Sequence, residues 1–369
     1  MAKRVVIGLS GGVDSAVSAL LLKKRGYEVI GVHMVNWDSI EEGTSNCTRS
    51  KDENDARNIS HRLNIPFHSV NFVKEYWNEV FIKMLDGYSK GRTVVPDIQC
   101  NRSIKFEHLH KMAKERFNAD FIATGHYSTT SNGDYNDGNS QRYRLLRGID
   151  PLKDQSYFLC TLREEQLKRS IFPLGSFTKK EVKEIAKENG MEDIANRRES
   201  MGVCFVGKRK DFGEFLQEYM VCTPGKIIDR SNGIVLGEHN GIHNFTIGKR
   251  LSIGPRSHLG YFVQDIDSSN HIVYAVESST HPSLYATQFI IETPEWIVDS
   301  PIKEHELTCR VQRSHPPIDC CIDYSFDMKR ITVTPSLPLR SIAYGQMCVF
   351  YKGRECLGGG EVIEVTRTL

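Results

Sequence analysis

Three short stretches of this 369-residue chain combine residue types that do chemistry. The first is Ser10-Gly11-Gly12-Val13-Asp14-Ser15. It ends the apolar run Val5–Leu9 and opens a segment of helical periodicity that stops at Gly26. A turn between a strand and a helix offers unpaired backbone N–H groups and the positive end of the helix dipole, which together bind phosphate. Gly11 and Gly12 let backbone approach an anion closely. Ser10 and Ser15 add hydroxyl donors, while Asp14 is suited to orienting the loop or holding Mg²⁺ rather than meeting a bare phosphate. The P-loop and dinucleotide-binding patterns are both absent. A tight capped turn with no ligand is the plainer alternative. The second stretch is Val95-Pro96-Asp97-Ile98-Gln99-Cys100, where a helix is expected to begin. A helix N-terminus, helped by Arg102 and Lys105, lowers a thiol's pKa. Asp97 is close enough in sequence to act as a base. The third, Gly202-Val203-Cys204-Phe205, brings a second cysteine into a glycine-flanked segment. Either the two cysteines meet across a cleft or they are unrelated buried thiols. Thr124-Gly125-His126-Tyr127 and Lys153-Asp154-Gln155 are expected on the same rim, although a satisfied structural histidine explains His126 equally well.

The elements that must position these residues follow from periodicity. Strands are expected at Val5–Leu9, Glu28–Met34, Pro66–Val70 and Asp120–Thr124. Helices are expected at Ser15–Arg25, Asp52–Leu63, Glu75–Tyr88 and Ile104–Phe117. Thr178 and Glu181 form a capping box for a helix that closes at Gly190. This alternation predicts an α/β domain, a doubly wound parallel sheet, over residues 1–208. Short β-type runs follow, among them Lys226–Ile228, Ile234–Leu236, His271–Val276, Ile331–Val333 and Met347–Tyr351. They predict a small central β-rich domain over 209–280 and a C-terminal β-barrel-like domain over 281–369, with a break near His281-Pro282.

Composition narrows the class. Hydrophobic residues make up 39% and charged residues 25%, the balance of a soluble folded chain. No apolar run approaches the ~20 residues of a membrane helix. A net charge of +2 leaves nucleic acid open, so local basic clusters matter more. These are Lys105 to Arg116, Arg197-Arg198, Lys208-Arg209-Lys210 and Lys249-Arg250. Each also reads as a solvated face. The ten cysteines contain no C-x-x-C pair, so reduced thiols are expected rather than a structural zinc site. Lys3 and Arg4 lead straight into the first strand, leaving little room for a transit peptide.

Ser10-Gly11-Gly12-Val13-Asp14-Ser15 resembles the pyrophosphate loop of the ATP pyrophosphatases, which split ATP into AMP and pyrophosphate to adenylate an oxygen of the substrate. Adding Pro96-Asp97 with Cys100-Asn101, Thr124-Gly125-His126-Tyr127, Lys153-Asp154-Gln155 and Gly202 with Cys204-Phe205 makes the chain similar to the tRNA-specific 2-thiouridylases, the MnmA family. The likeness runs along essentially the whole chain, including Asn36-Trp37, Tyr76-Trp77, Ile171-Phe172-Pro173-Leu174-Gly175, Thr246-Ile247-Gly248 and Gly345-Gln346. Glu199-Ser200-Met201-Gly202 and Lys74-Glu75-Tyr76-Trp77-Asn78 look closest to mitochondrial members.

The resemblance implies an adenine nucleotide alpha hydrolase-like fold and formation of 2-thiouridine at the tRNA wobble position, with ATP and Mg²⁺. Gly8, Leu9, Ser10, Gly11, Gly12, Val13, Asp14, Ser15, Met34 and Gly125 would hold ATP. Cys204 would carry a persulfide, Cys100 would be the nucleophile that ends in a disulfide with it, and Asp97 would assist. Val95, Pro96, Asp97, His126, Lys153, Asp154, Gln155, Gln312, Arg313 and Gln346 would contact tRNA. Implied partners are tRNA, a persulfide-donating protein and a reductant. No membrane and no iron–sulfur cluster are expected. The compartment implied is mitochondrial, with cytoplasmic as the alternative. Three positions depart from the family pattern: Ala16 replaces a hydroxyl residue, Val95 an asparagine and Lys249 a glutamine. The rival functions are an ATP pyrophosphatase-type ligase acting on a small molecule, which needs neither cysteine, and an RNA-binding module that senses ATP without chemistry.

Overall fold

The computed structural model describes residues 2–37, 48–134, 142–197, 212–253, 258–294, 296–297 and 306–368, with backbone alone at 48–50. Cys204, Arg198 and the Lys208-Arg209-Lys210 cluster lie outside the described residues.

Strand β1 (Arg4–Gly8) is the centre of a five-stranded parallel sheet because its apolar residues are wanted on both faces. Val5, Val6 and Ile7 are fully buried. The sheet order is β3 (Phe67–Asn71), β2 (Glu28–Val35), β1, β4 (Phe121–Ala123), β7 (Ser170–Ile171). Helix α1 (Val13–Lys24) follows β1 and α2 (Thr48–Arg62) precedes β3. The chain builds outward from β1 through β2 and β3. It then returns to lay β4 on the other side of β1. This reversal opens a crevice beyond the carboxyl ends of β1 and β4, where ligands bind in open α/β sheets. The Gly-Gly turn leaves β1 and Thr124–Tyr127 leaves β4, so both border that crevice.

Helix α3 (Leu109–Phe117) is entered from a helical run that begins earlier than the sequence suggests. Pro96–Gln99 makes a first α-turn and Cys100–His108 is wound as a π-helix. Helix α4 (Lys179–Glu188) carries the expected capping box: the Thr178 hydroxyl accepts from the Glu181 N–H, and Glu181 reaches back to Thr178.

Beyond residue 212 the chain is mostly β. Strands β8 (Gly225–Asp229), β9 (Val235–His239), β10 (Tyr261–Asp267) and β11 (Ile272–Glu277) form a four-stranded sheet around Ile227, Val263, Val273 and Ala275. A second group closes into a barrel in the order β12 (Tyr285–Glu292), β15 (Arg330–Pro335), β14 (Ile318–Tyr324), β13 (Thr308–Arg310), β17 (Met347–Lys352), β18 (Glu355–Arg367), with β18 pairing back onto β12. Closure leaves no exposed edge along these strands. The remaining β16 (Leu339–Arg340) pairs with β12 outside the ring.

The barrel is joined to the parallel-sheet half by backbone pairing. A hairpin of β5 (Ser128–Thr130) and β6 (Leu145–Arg147) extends from that half, and β6 pairs with β18 through Leu146 opposite Glu355 and Leu145 opposite Cys356. The Tyr157 hydroxyl approaches the carbonyls of Val311 (2.9 Å) and Met347 (3.0 Å) across the same seam.

Candidate active site

The loop after β1 is shaped before any ligand arrives. Ser15 Oγ accepts from the Ser10 N–H (3.2 Å) and donates to the Gly12 carbonyl (3.1 Å), which ties the turn across its own neck. Ser15 is therefore a buried strut of the ligand-free loop. Ser10 is exposed and its hydroxyl lies 3.2 Å from that of Ser15. Ala16 is fully buried in the core beneath the loop, so this departure from the family pattern removes no hydroxyl from the surface.

Two glycines are required by contact. Gly11 has φ +82°, and a Cβ there would lie 2.9 Å from the Asp52 carbonyl on α2. At Gly125 a Cβ would lie 2.9 Å from the backbone of Asp14 and of Ser15. Gly125 thus lets the end of β4 touch the loop. Replacing Gly11 with alanine combines left-handed strain with this clash, at a cost of about 1–3 kcal/mol. ATP affinity is expected to fall about 10- to 100-fold; titration of ATP against G11A measures this.

Met34, at the end of β2, supports the floor. Its methyl would sit 3.4 Å from a Cβ on Gly8. Beside it the buried His33 Nδ1 meets the Leu9 carbonyl at 2.9 Å.

Asp14 is the first link in a hydrogen-bonded chain that crosses the crevice. The Tyr127 hydroxyl donates to its Oδ1 (2.7 Å). The Tyr127 N–H donates to Gln155 Oε1 (2.9 Å), and the Gln155 N–H returns to the Tyr127 carbonyl (2.9 Å). The Phe158 N–H then reaches the Gln155 carbonyl (3.0 Å), and Asn101 Nδ2 donates to the Phe158 carbonyl (2.9 Å). Asn101 is buried next to Cys100, and its Oδ1 accepts from Lys105 Nζ (2.8 Å). The glycine loop, Thr124–Tyr127, Lys153–Gln155 and the cysteine helix are thereby fixed to one another.

The helix starts a turn before Cys100. Pro96 takes the first helical position, which costs no hydrogen bond. Asp97 lies in the first turn, and Cys100 closes that turn with its N–H on the Pro96 and Asp97 carbonyls. The expected placement of Cys100 at the N-terminus is corrected accordingly: Asp97 is nearer the positive end. In the π-helix the ring closes on the residue five ahead. Lys105 therefore follows Cys100 by one turn, on the side of Asp97 and His126. Cys100 is buried. Val95 caps the helix without a side-chain bond, so the asparagine usual there in the family is replaced by a residue that packs instead.

Burial pushes the half-buried Asp97 carboxyl above the usual carboxylate range, and the Lys105 ammonium partly opposes this. His126 is buried with Nδ1 2.7 Å from Thr124 Oγ1. Burial and, secondarily, Lys105 hold its imidazole well below the ordinary value, so it stays neutral. The Asp97 shift has a stability consequence. A raised folded-state pKa disfavours the fold once pH climbs through it, and is without effect below the ordinary 3.8, where both states are protonated. Asp97→Asn is therefore expected to raise the melting midpoint at pH 7–8 and to lose that gain as pH falls below about 4. Thermal scans across this range check the sign.

Other expected RNA contacts divide in two. Arg313 is exposed and donates to the Leu152 carbonyl (3.0 Å), which brings it and Gln312 beside Lys153. Asp154 and Gln346, by contrast, have buried and engaged side chains. Asp154 has no exposed side-chain surface and pairs with Arg147 (3.0 Å) and with Arg310 (3.4 Å) from β13. Gln346 Oε1 accepts from the Ala343 N–H (3.0 Å). Arg197 pairs with Asp55 and Asp193 and is a structural cation.

One contact escaped the sequence reading. Lys179, the first residue of α4, places Nζ 2.7 Å and 2.8 Å from the two oxygens of Asp14. Its signal was legible: a lysine at the positive end of a helix is electrostatically misplaced unless an anion faces it. As arranged, both Asp14 oxygens are engaged, Oδ1 by Tyr127 and Lys179 and Oδ2 by Lys179. Among the described residues no group of three or more histidine, cysteine or acidic side chains gathers as a metal site. No helix among them is long and apolar enough to cross a membrane.

Comparison with known proteins supplies the lineage. Residues 3–208 match a family described as the tRNA methyl transferase HUP domain. Residues 213–277 match its PRC-barrel domain, and 286–362 an aminomethyltransferase β-barrel domain. The chain is 57% identical to the probable mitochondrial tRNA-specific 2-thiouridylase 1 of Caenorhabditis elegans, over 99% of this chain and 100% of that protein. It is 40% identical to the mitochondrial tRNA-specific 2-thiouridylase 1 of Homo sapiens, over 98% and 91%. Identity is also 40% to the tRNA-specific 2-thiouridylase MnmA of Alkaliphilus oremlandii, over 99% and 98%. With a glycine loop at the sheet's switch point, a cysteine and an aspartate on the facing helix, and this likeness along nearly its whole length, the chain belongs to the tRNA-specific 2-thiouridylase family.

Proposed function

We propose that the protein is a tRNA-uridine 2-sulfurtransferase that makes 2-thiouridine at the wobble position, with ATP as activator. The observation that carries the reading is the hydrogen-bonded chain from Asp14 to Asn101, which fixes the phosphate-type loop and the Asp97–Cys100 helix around one crevice. A ligase for small molecules needs the loop but not that helix.

In this reading the uridine 2-carbonyl oxygen attacks the α-phosphorus of ATP and pyrophosphate leaves. Loop N–H groups at the start of α1 stabilise the phosphate charge. Mg²⁺ enters with the nucleotide and adds charge neutralisation. The terminal sulfur of a persulfide on Cys204 attacks C2 and displaces AMP. The Cys100 thiolate then attacks the Cys204 sulfur, breaking the S–S bond and leaving sulfur on the base. The product is a Cys100–Cys204 disulfide, which a thiol reductant must reset with two electrons. A persulfide-bearing donor protein reloads Cys204. Neutral His126 and the backbone around Val95-Pro96 face the base, while Lys153, Gln155, Gln312 and Arg313 meet the RNA. Phosphate contacts would make binding strongly salt-dependent. The catalytic unit is residues 1–208, with 209–280 and 281–369 extending the RNA surface. The names of the animal relatives favour a mitochondrial setting.

Nucleoside mass spectrometry tests the reading. Unmodified tRNA is incubated with the protein, ATP, Mg²⁺, a persulfide donor and a thiol reductant, then digested. A thiolated uridine with AMP release is expected. AMP release with no thiolated nucleoside would restore the small-molecule ligase, and tRNA binding with no AMP would leave an ATP-sensing binder.

A further inference from the structure

We propose that Lys179 is a pyrophosphate-binding residue: it holds Asp14 in the ligand-free site and transfers to the pyrophosphoryl end of ATP when the nucleotide enters. The proposal rests on the ATP reading above and assigns that site a residue outside its glycine loop.

The geometry gives four reasons. First, the side chain is directed into the site, with only 12% of it exposed and Nζ on both Asp14 oxygens. Second, its backbone is fixed by the Thr178–Glu181 capping box, and its N–H donates to Asp150 Oδ2 (2.9 Å). The flexible four-carbon arm is then the only part that must move. Third, the Tyr127 ring lies 5.7 Å below the ammonium while its hydroxyl holds Asp14, so one aromatic residue guides both partners. Fourth, electrostatics explain why a lysine is kept here. Asp14 stands in the first turn of α1 and Lys179 in the first turn of α4. Two positive helix ends meet through this pair. A polyanion displacing the carboxylate would gain both helix ends and the ammonium together. A surface ion pair made only for stability would be worth little and would sit better at a helix C-terminus.

Exchange of one oxyanion for another on an ammonium breaks no covalent bond and needs no proton. It also frees the Asp14 carboxylate at the moment the triphosphate is seated, which an immovable pair would not do.

Calorimetric titration with inorganic pyrophosphate, and with AMP as control, tests this on the full-length chain. K179M is expected to weaken pyrophosphate about tenfold or more, leaving AMP within about twofold, because a charge-assisted phosphate contact is lost. D14N is expected to bind pyrophosphate as well as wild type or better, since a competing anion is removed. Two outcomes overturn the assignment: K179M within about twofold of wild type for pyrophosphate, or D14N weakened as much as K179M, which would make Lys179 a prop for Asp14 alone. Should K179M fail to fold, K179R and D14N carry the test. Retained affinity in both supports a mobile cation, and loss in D14N overturns it. Neither tRNA nor sulfur enters the titration. A wild-type protein that binds pyrophosphate through Lys179 yet thiolates nothing would sink the thiolation reading and leave this one standing.

Discussion

Cys100→Ser is expected to reduce 2-thiouridine formation by more than about 10³-fold, the scale of losing an obligatory nucleophile. A first-turnover burst of AMP dependent on tRNA should persist, because the adenylation machinery sits on the other side of the crevice, on the loop after β1, and Cys100 acts only after AMP has left. Serine is nearly isosteric with the buried thiol, so the loss should not come from unfolding. The hydroxyl is far too weak an acid to supply an anion at neutral pH. Parallel assays of AMP and thiolated nucleoside separate the two half-reactions. Thiolation above a tenth of wild type would remove Cys100 from the sulfur route, and loss of both products would place it in adenylation or in folding.

Asp154→Ala is expected to lower stability by about 3–5 kcal/mol. The carboxylate has no exposed side-chain surface, and Arg310 shows only 4% of its own. Removing the anion strands a buried guanidinium that already has one unpartnered nitrogen, Nε. The carboxylate also accepts from the Ser156 N–H (3.1 Å). It thereby fixes the turn that carries Gln155 and Phe158, two links in the chain from the glycine loop to Asn101. Urea unfolding should show the loss, and tRNA affinity should drop through the displaced loop. A variant with wild-type stability but weakened tRNA binding would reinstate Asp154 as a direct RNA contact.

Local patterns account for the elements around the glycine loop. The apolar run Val5–Leu9, the periodicity after it and the stop at Gly26 specify strand, turn and helix, because burial on both faces and 3.6-residue repetition are local properties. The capping box at Thr178 is likewise local chemistry and was legible. So was the anion-binding character of Ser10–Ser15, since it depends on glycine and on an open helix end.

Other features depended on contacts distant in sequence. Strand β18 carries Gly358-Gly359-Gly360, residues that are depleted in strands unless close neighbours demand them. In the fold these glycines admit close neighbours: a Cβ on Gly360 would lie 2.1 Å from the Glu292 carbonyl. The early start of the Cys100 helix and its π-winding were not legible, since no local propensity distinguishes a five-residue from a four-residue ring here. Asp154 reads as a surface acid within Lys153-Asp154-Gln155, and only the arrival of Arg310 from the barrel explains its burial.

The residues around the crevice divide the same way. Sequence established two of the groups the protein owns: a phosphate-type loop and a thiol three residues after a carboxyl. That Lys179 faces Asp14, and that Tyr127, Gln155 and Asn101 link the loop to the thiol, follows from contacts between elements far apart in the chain. The physical reason is range. Backbone conformation and helix electrostatics act over a few residues, whereas a hydrogen bond between residues 14 and 179 exists only once the sheet has brought two helix ends together.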